Sequence, residues 1–202
     1  MNSRYVVAPQ RDRFVSERAT RAQRSDRSRK GHRNRTLQAV IVGMVAWATF
    51  SGAIRGAEQS KSTLAFERLA SLAGEWKGVQ DGTEIQVTYT LTANGSALME
   101  EFRPKNGPVM VTMFSVDGDH LLATHYCSAK NQPQMATESI ADPQAKSLVF
   151  SLVRVTGLNS PGDWHNTGLV VTMEDPDHLT QKWTYLSNGT TGKTFFHFTR
   201  KR

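Results

Sequence analysis

The chain has 202 residues and a formal net charge of +7, but this charge is distributed unevenly. Residues 1–57 hold 12 Lys and Arg against 3 Asp and Glu, whereas residues 58–202 hold 13 against 15, so the two parts carry +9 and −2. A nucleic-acid-binding domain carries its basic surface on the folded part, so this composition argues against nucleic acid as a partner of residues 58–202. The single cysteine, Cys127, excludes an intrachain disulfide.

The N-terminal part has the composition of a leader rather than of a packed domain. Residues 1–36 are rich in Arg and Ser and poor in large apolar side chains, which predicts disorder. Residues 37–57 contain an apolar run over 37–50 and then the small residues Ser51, Gly52 and Ala53. A basic region, a short apolar core and small residues are typical of a signal peptide. We therefore expect cleavage after Ala53 and export to the periplasm or the exterior.

Two features of this leader leave alternatives open. The apolar run is shorter than the roughly 20 residues of a membrane-spanning helix, but a membrane anchor formed by residues 37–54 is the alternative to cleavage. Residues 1–35 are interpreted as an extended signal region, as the product of a start codon assigned too far upstream, or as a basic arm. Such an arm would make transient contact with anionic lipid or with nucleic acid.

Residues 58–202 predict one all-β domain with a short N-terminal helix. Ser62 or Thr63 is positioned to cap a helix from Leu64 to about Ala73, with Gly74 as its stop. Alternating strand patterns and turn signals follow, including Asn94-Gly95, a strong hairpin signal. The predicted strands lie at Trp76 and at residues 84–93, 98–103, 109–116, 121–127, 134–140, 148–155, 167–173, 179–186 and 193–200.

About ten short strands without intervening helices favour an antiparallel up-and-down barrel, because closure removes exposed strand edges. A two-sheet β-sandwich is the alternative fold.

The order of these motifs resembles the calycin superfamily, which includes the lipocalins. The resemblance rests on a short helix, Gly74-Glu75-Trp76 at the first strand and Arg200 on the last strand. A wider set of motifs resembles exported, uncharacterised lipocalin-like bacterial proteins: residues 66–69, 72–76, 117–119, 124–127, 131–133 and 178–180. The resemblance implies a barrel in which Arg200 stacks on Trp76 to close one end.

Polar side chains on otherwise apolar strand faces are the candidate ligand contacts, because side chains two apart share a face. The candidates are Glu100, His125, Cys127, His165, Gln181, Trp183 and Tyr185. Structural roles are also open for them: Glu100 could pair with Arg154 at the rim, His125 could be a satisfied core imidazole, and His165 could be exposed beside a loop.

We expect an exported or envelope-associated barrel that binds a small apolar or amphiphilic molecule and has no catalytic residues. One alternative is an isomerase or hydrolase that uses Glu100, His125 or His165 as acid or base. Another is an interaction scaffold recruited by its basic arm. Oligomeric state is not indicated by any pattern.

No cofactor and no metal are predicted. His125 and Cys127 share a face, but a metal site needs three or four ligands. A related calycin family of haem-binding barrels begins with a similar Gly-x-Trp-x-Gly motif. This chain has that motif at residues 74–78 and then lacks a Gly-Tyr-Pro-like continuation, so haem is not expected.

Overall fold

The computed structural model of the protein describes residues 58–202, and the predicted disordered segment and signal peptide (residues 1–57) lie outside the described residues. One helix, α1 (Lys61–Ala70), precedes ten strands. The strands are β1 (Gly74–Gln80), β2 (Thr83–Thr92), β3 (Ala97–Pro104), β4 (Met110–Asp117), β5 (His120–Tyr126), β6 (Gln132–Ala136), β7 (Ser147–Thr156), β8 (His165–Asp175), β9 (His178–Ser187) and β10 (Thr190–Arg200). None of the helical structure in residues 58–202 has the length and hydrophobicity that crossing a membrane requires.

The ten strands form a closed antiparallel barrel. Each strand pairs with the next one along the chain, and β1 pairs with β10 to close the sheet. Closure pairs both edges of every strand and so leaves no open edge. The predicted up-and-down barrel with one short helix is confirmed, and the alternative of a β-sandwich is wrong.

Helix α1 covers one end of the barrel. Its buried face carries Ala65, Phe66 and Leu69, and the buried Ser62 hydroxyl donates a 2.6 Å hydrogen bond to the carbonyl of Gly118 in the β4–β5 turn. The half of the barrel nearest α1 is filled by large apolar side chains. Those with almost no exposed surface include Trp76, Leu98, Phe114, Leu121, Phe150, Leu169 and Leu179.

The helix begins and ends earlier than the sequence predicts. Ser60, not Ser62 or Thr63, is the N-cap, because its Oγ accepts a hydrogen bond from the Thr63 backbone N–H. The Ser62 hydroxyl is used instead for the contact with Gly118. The helix ends at Ala70 rather than Ala73, because the N–H groups of Leu72 and Ala73 donate to the carbonyls three residues back, Leu69 and Ala70, instead of four.

Arg200 closes the α1 end of the barrel, as the resemblance implies. Its Cζ lies 4.2 Å from the centroid of the buried Trp76 ring. Its Nη1 and Nη2 donate hydrogen bonds to the carbonyls of Ala73 (2.9 Å) and Ser71 (3.0 Å), and its Nε donates to the carbonyl of Pro176. The stacked contact contributes about 0.5–2 kcal/mol, and the hydrogen bonds satisfy carbonyls after the end of α1.

Asn94-Gly95 lies in a hairpin between β2 and β3, as its sequence predicts, but the turn is longer than two residues: Thr92 pairs with Ala97, and the loop includes a 3-10 turn at Ala93–Gly95 with positive φ at each of its residues. One local prediction needs correction. β6 is shorter than predicted. It ends at Ala136 because the pairing with β5 fails at the next residue: the Leu121 N–H donates to the Thr137 side-chain Oγ1, and the Thr137 carbonyl accepts from the His120 side chain instead.

Candidate functional site

A cavity of about 100 Å³ lies in the half of the barrel remote from α1. Met110, at the start of β4, and Asn166, near the start of β8, lie at the strand ends opposite the Gly118 turn that α1 contacts. The cavity is lined by Glu100, Phe102, Met110, His125, Trp164, Asn166, Trp183, Tyr185, Thr194 and Phe196. Trp164 has 38% of its surface exposed and therefore lies where the cavity opens to solvent, which we call its mouth.

A layer of hydrogen-bonded polar side chains separates this cavity from the apolar core. We call it the polar layer; it consists of Tyr89, Glu100, Thr112, His125, Gln181 and Trp183. The layer crosses the interior of the barrel, because Gln181 on β9 donates a 2.5 Å hydrogen bond from Nε2 to Oε2 of Glu100 on β3.

The orientation of the Gln181 amide follows from its neighbours. The indole Nε1 of Trp183 can only donate, and it lies 2.9 Å from Gln181 Oε1. The Nε2 group of Gln181 therefore faces Glu100 Oε2 and the Tyr89 hydroxyl, which accepts from it at 2.8 Å. The Tyr89 hydroxyl in turn donates to Glu100 Oε2 at 2.7 Å. Two donors thus converge on one carboxyl oxygen.

The other carboxyl oxygen, Oε1, has unused capacity for hydrogen bonding. Its contact with the Thr112 hydroxyl is long, at 3.5 Å. Within residues 58–202, no Lys, Arg or His side chain forms an ion pair with Glu100. A carboxyl group that is 1% exposed and borders a cavity is therefore held by neutral donors alone.

The titrating groups of the polar layer have pKa values shifted from their ordinary values. Burial raises the pKa of the Glu100 carboxyl, although the hydrogen bonds from Tyr89, Gln181 and Thr112 act in the opposite direction. Burial also lowers the pKa of the His125 imidazole to about 4. The pKa of Tyr89 lies well above its ordinary value because of burial and the neighbouring Glu100. At neutral pH, His125 and Tyr89 are consequently both uncharged.

Thr112 connects the carboxyl group to the imidazole. Its Oγ1 lies 3.0 Å from His125 Nδ1, and both residues are buried. Thr112 also pairs directly with Glu100 on β3 and with His125 on β5. The three side chains therefore take their relative positions from sheet register.

The walls of the cavity are mainly aromatic. The rings of Phe102 and Phe196 meet edge to face with centroids 5.1 Å apart. On the mouth side, Trp164 and Tyr185 are 5.5 Å apart at an angle of 30°. Aromatic rings present a negative electrostatic face as well as apolar area, so the walls suit either an apolar group or a cation.

Tyr185 takes its position from a glycine on the neighbouring strand. Tyr185 pairs with Gly192, and a Cβ at Gly192 would lie 2.2 Å from Tyr185 Cζ. That distance is far inside van der Waals contact. Gly192 thereby allows the phenol ring to lie against the β10 backbone and form part of the cavity wall.

The sequence-predicted site residues divide into three groups. Glu100, His125, Trp183 and Tyr185 line the cavity together. Gln181 lies behind them in the polar layer. The remaining two do not line the cavity. Cys127 is buried beyond the end of β5, where its Sγ accepts from the Ala129 N–H, and His165 is buried with its Nδ1 donating to the Asp163 carbonyl.

A β-bulge explains the position of His165. The register between β8 and β9 shifts between Asn166 and Gly168, so that Asn166, not Thr167, pairs with Tyr185 and His165 pairs with Leu186. Strict alternation would have grouped His165 with Leu169 on the inward face. The extra residue reverses the alternation there, and Asn166 lines the cavity in its place.

Sequence reasoning missed several residues of the site. Phe102 lies two residues from Glu100, and Phe196 two residues from Phe198, so the alternation of side chains along a strand places each pair on one face. The sequence could therefore have indicated Phe102 and Phe196 as inward-facing residues. Trp164 lies in a loop without periodicity, and Tyr89 and Thr112 read as ordinary strand residues. Their roles depend on neighbours from other strands.

The part of the chain from 58 to 202 contains no group of three His, Cys, Asp or Glu side chains placed to hold a metal ion. The imidazole of His125 lines the cavity together with the carboxyl group of Glu100 and the neutral polar side chains of Asn166 and Thr194.

The chain matches no family model and no curated protein sequence. Among solved structures, it is similar to that described as the crystal structure of Rv2717c from M. tuberculosis. The identity is 13% and the TM-score 0.48, over 68% of this chain and 98% of the other. A likeness at this level says nothing about what this chain binds.

Proposed function

We propose that the barrel binds a small amphiphilic molecule in the cavity described above. The apolar part of the ligand contacts the aromatic walls, and its polar end meets Glu100, His125 or Asn166. The observation that carries this proposal is the composition of the cavity: aromatic walls with a few converging polar groups. Ligand sites typically combine apolar lining with a small number of placed polar groups that orient the ligand.

The contrast between the two halves of the barrel supports this proposal. Protein interiors are close-packed and contain few voids larger than a water molecule. The half beneath α1 obeys this rule, with Trp76, Phe114 and Phe150 buried completely or almost completely. The other half leaves a volume of about 100 Å³ open between large aromatic side chains. A closed cavity of about 150 Å³ accommodates benzene. This smaller cavity holds a head group and a few carbons, and the rest of a larger ligand, such as a benzyl compound, extends through the mouth beside Trp164.

We further propose that the barrel is calycin-like and works outside the cytoplasm. The closed antiparallel topology and the Trp76–Arg200 contact support the first part. The signal-peptide pattern in residues 37–57 supports the second. Mass spectrometry of the protein from the producing cell tests export: a mass that begins at Ile54 supports it, and an intact N-terminus contradicts it.

Ligand binding is tested by filling the cavity with a larger side chain. Thr194 lines the cavity, and Thr194→Phe places a phenyl ring there. Thr191→Phe is the matched control, because Thr191 is exposed on the same strand and faces outward. Benzyl alcohol serves as a neutral amphiphilic probe, and its binding is followed by tryptophan fluorescence, since Trp164 and Trp183 border the cavity.

Thr194→Phe should abolish the fluorescence change, and Thr191→Phe should retain it. Equal binding by both variants, or no binding by the unaltered protein, contradicts the proposal.

A second candidate function is proton-transfer catalysis in the same cavity. It is favoured by one observation: a carboxyl group with a raised pKa and a neutral imidazole both border the cavity. Groups with displaced pKa values are frequent in active sites. If an activity is found in a screen of ester or ketone substrates, His125→Gln should lower kcat by about 100-fold or more. An unchanged kcat would leave binding as the function.

A further inference from the structure

We propose that the ligand of the cavity is a small organic cation, a primary ammonium group on an aryl or alkyl chain, and that Glu100 is its counter-charge. This inference rests on the proposed binding function and specifies the chemistry of the ligand. It is carried by the buried, cavity-lining carboxyl group of Glu100, which has no cationic partner among residues 58–202.

The carboxyl group is arranged as an acceptor. Gln181 Nε2 can only donate, and its orientation is fixed by the Trp183 indole. Glu100 Oε2 must therefore accept from Gln181, and it also accepts from the Tyr89 hydroxyl. Any proton on Glu100 is consequently carried by Oε1. That atom has only the long contact with Thr112, so it has capacity to accept from an ammonium N–H.

The surroundings of Glu100 suit a cation better than an anion. No Lys or Arg lines the cavity, and the walls include Phe102, Phe196, Trp183 and Tyr185. Aromatic faces attract ammonium groups through their quadrupole. His125 is neutral above its lowered pKa of about 4 and does not repel a cation near neutral pH. An anionic ligand would instead face the Glu100 carboxyl and the negative faces of the rings.

Binding is expected to couple to the ionisation of Glu100. In the empty cavity, burial favours the protonated carboxyl; an ammonium group favours the carboxylate, and the proton from Oε1 passes to solvent. Affinity for the cation should therefore rise with pH until Glu100 is ionised in the free protein. The other titratable groups facing this region are Tyr89, His125 and Tyr185, with Thr112 and Gln181 as neutral partners.

Three probes of nearly equal size and different charge test this inference: benzylammonium, benzyl alcohol and benzoate. Binding to the full chain is measured by calorimetry at about pH 7, where the amine and the acid are both ionised. Benzylammonium should bind about tenfold more tightly than benzyl alcohol, on the scale of one charge-assisted hydrogen bond. Benzoate should bind most weakly.

Glu100→Gln tests the role of the charge, and Glu101→Gln is its matched control. Glu101 is adjacent, points to the opposite face of β3 and pairs with Arg103 on the outside of the barrel. Glu100→Gln should remove the preference for benzylammonium over benzyl alcohol while benzyl alcohol still binds. Glu101→Gln should retain the full preference.

The outcomes separate the two proposals. If benzyl alcohol or benzoate binds as tightly as benzylammonium, or if Glu100→Gln keeps the preference, the cation inference is overturned and the cavity remains a binding site. If none of the three probes binds, both proposals are overturned. Should Glu100→Gln fail to fold, the order of the three affinities in the unaltered protein still decides.

Discussion

The Tyr89 hydroxyl donates a 2.7 Å hydrogen bond to Oε2 of Glu100, and the two residues face each other directly across β2 and β3. Strand register alone therefore places these two side chains next to each other, without any contact across the barrel. Gln181, 81 positions from Glu100 along the chain, then joins the pair from the far wall. A local cross-strand pair and one distant amide thus form the hydrogen-bonded centre of the polar layer beneath the cavity.

Tyr89→Phe should destabilise the protein by about 1–2 kcal/mol. The substitution removes a donor to Glu100 and the acceptor that Gln181 Nε2 uses, so that buried polar groups lose partners. Urea unfolding measures the effect. Tyr126→Phe, on an exposed ring, is the control and should change the free energy of unfolding by less than about 0.5 kcal/mol. A similar small effect for both variants would show that the buried hydroxyl contributes nothing.

His125 should make stability depend on pH. Its pKa is about 4 in the folded protein and near 6.5 in the unfolded chain. Between these values the unfolded state binds more protons, so the free energy of unfolding falls as pH decreases from about 6.5 towards 4. The difference in pKa corresponds to roughly 3 kcal/mol. This contribution is complete above pH 6.5 or so and is lost below about pH 4.

His125→Gln should remove this part of the pH dependence, as measured by urea unfolding between about pH 4 and pH 7. His197→Gln, at an exposed position, should leave the curve unchanged. Glu100 acts with the opposite sign: its raised pKa makes stability fall as pH rises above the ordinary range of a glutamate. The comparison is therefore made between variants rather than on one curve. A curve for His125→Gln that parallels the unaltered protein would disprove the assignment.

Arg200→Lys should destabilise the barrel by about 2 kcal/mol, because an ammonium group cannot replace the stacked guanidinium and its three hydrogen bonds to carbonyls. Thermal unfolding measures the loss, and Arg202→Lys, at an exposed position, is the control. Probe binding in the folded variant should be unaffected, since Arg200 lies at the opposite end from the cavity. Loss of binding without loss of stability would contradict this separation.

Gly192→Ala should weaken binding of the benzyl probes by displacing the Tyr185 ring, which a Cβ would approach to 2.2 Å. The effect on stability should be small, because the clashing atoms lie at the far end of a side chain that can move. In a Tyr185→Ala background, the same glycine substitution should have little further effect on binding. If its effect persists in that background, the glycine acts through the backbone rather than through Tyr185.

Much of the fold could be predicted because it depends on local signals. Alternation at Ile85, Val87 and Tyr89 assigns the inward face of β2, and those three side chains are buried. The Trp76–Arg200 contact followed from the resemblance. The first residue of α1 could not be predicted reliably, because Ser60 and Ser62 are both suitable caps and only the distant Gly118 carbonyl distinguishes them.

The site was less predictable because its geometry comes from long-range register. Glu100 could be marked as a polar residue on an apolar face, but its partner Gln181 depends on how ten strands close. The bulge at Asn166 has no signal in its own sequence, yet it exchanges His165 for Asn166 at the cavity. Trp164 reaches the cavity from a loop, where periodicity carries no information.

The most direct measurement of ligand binding follows the indole N–H signals of the tryptophans by NMR during titration with benzylammonium or benzyl alcohol. Trp183 Nε1 bonds to Gln181 in the polar layer and Trp164 lies at the mouth, whereas Trp76 Nε1 donates to the Leu72 carbonyl at the α1 end. The signals of Trp183 and Trp164 should shift with ligand concentration while that of Trp76 stays in place. Unchanged signals from Trp183 and Trp164, or an equal shift at Trp76, would contradict a ligand site in this cavity.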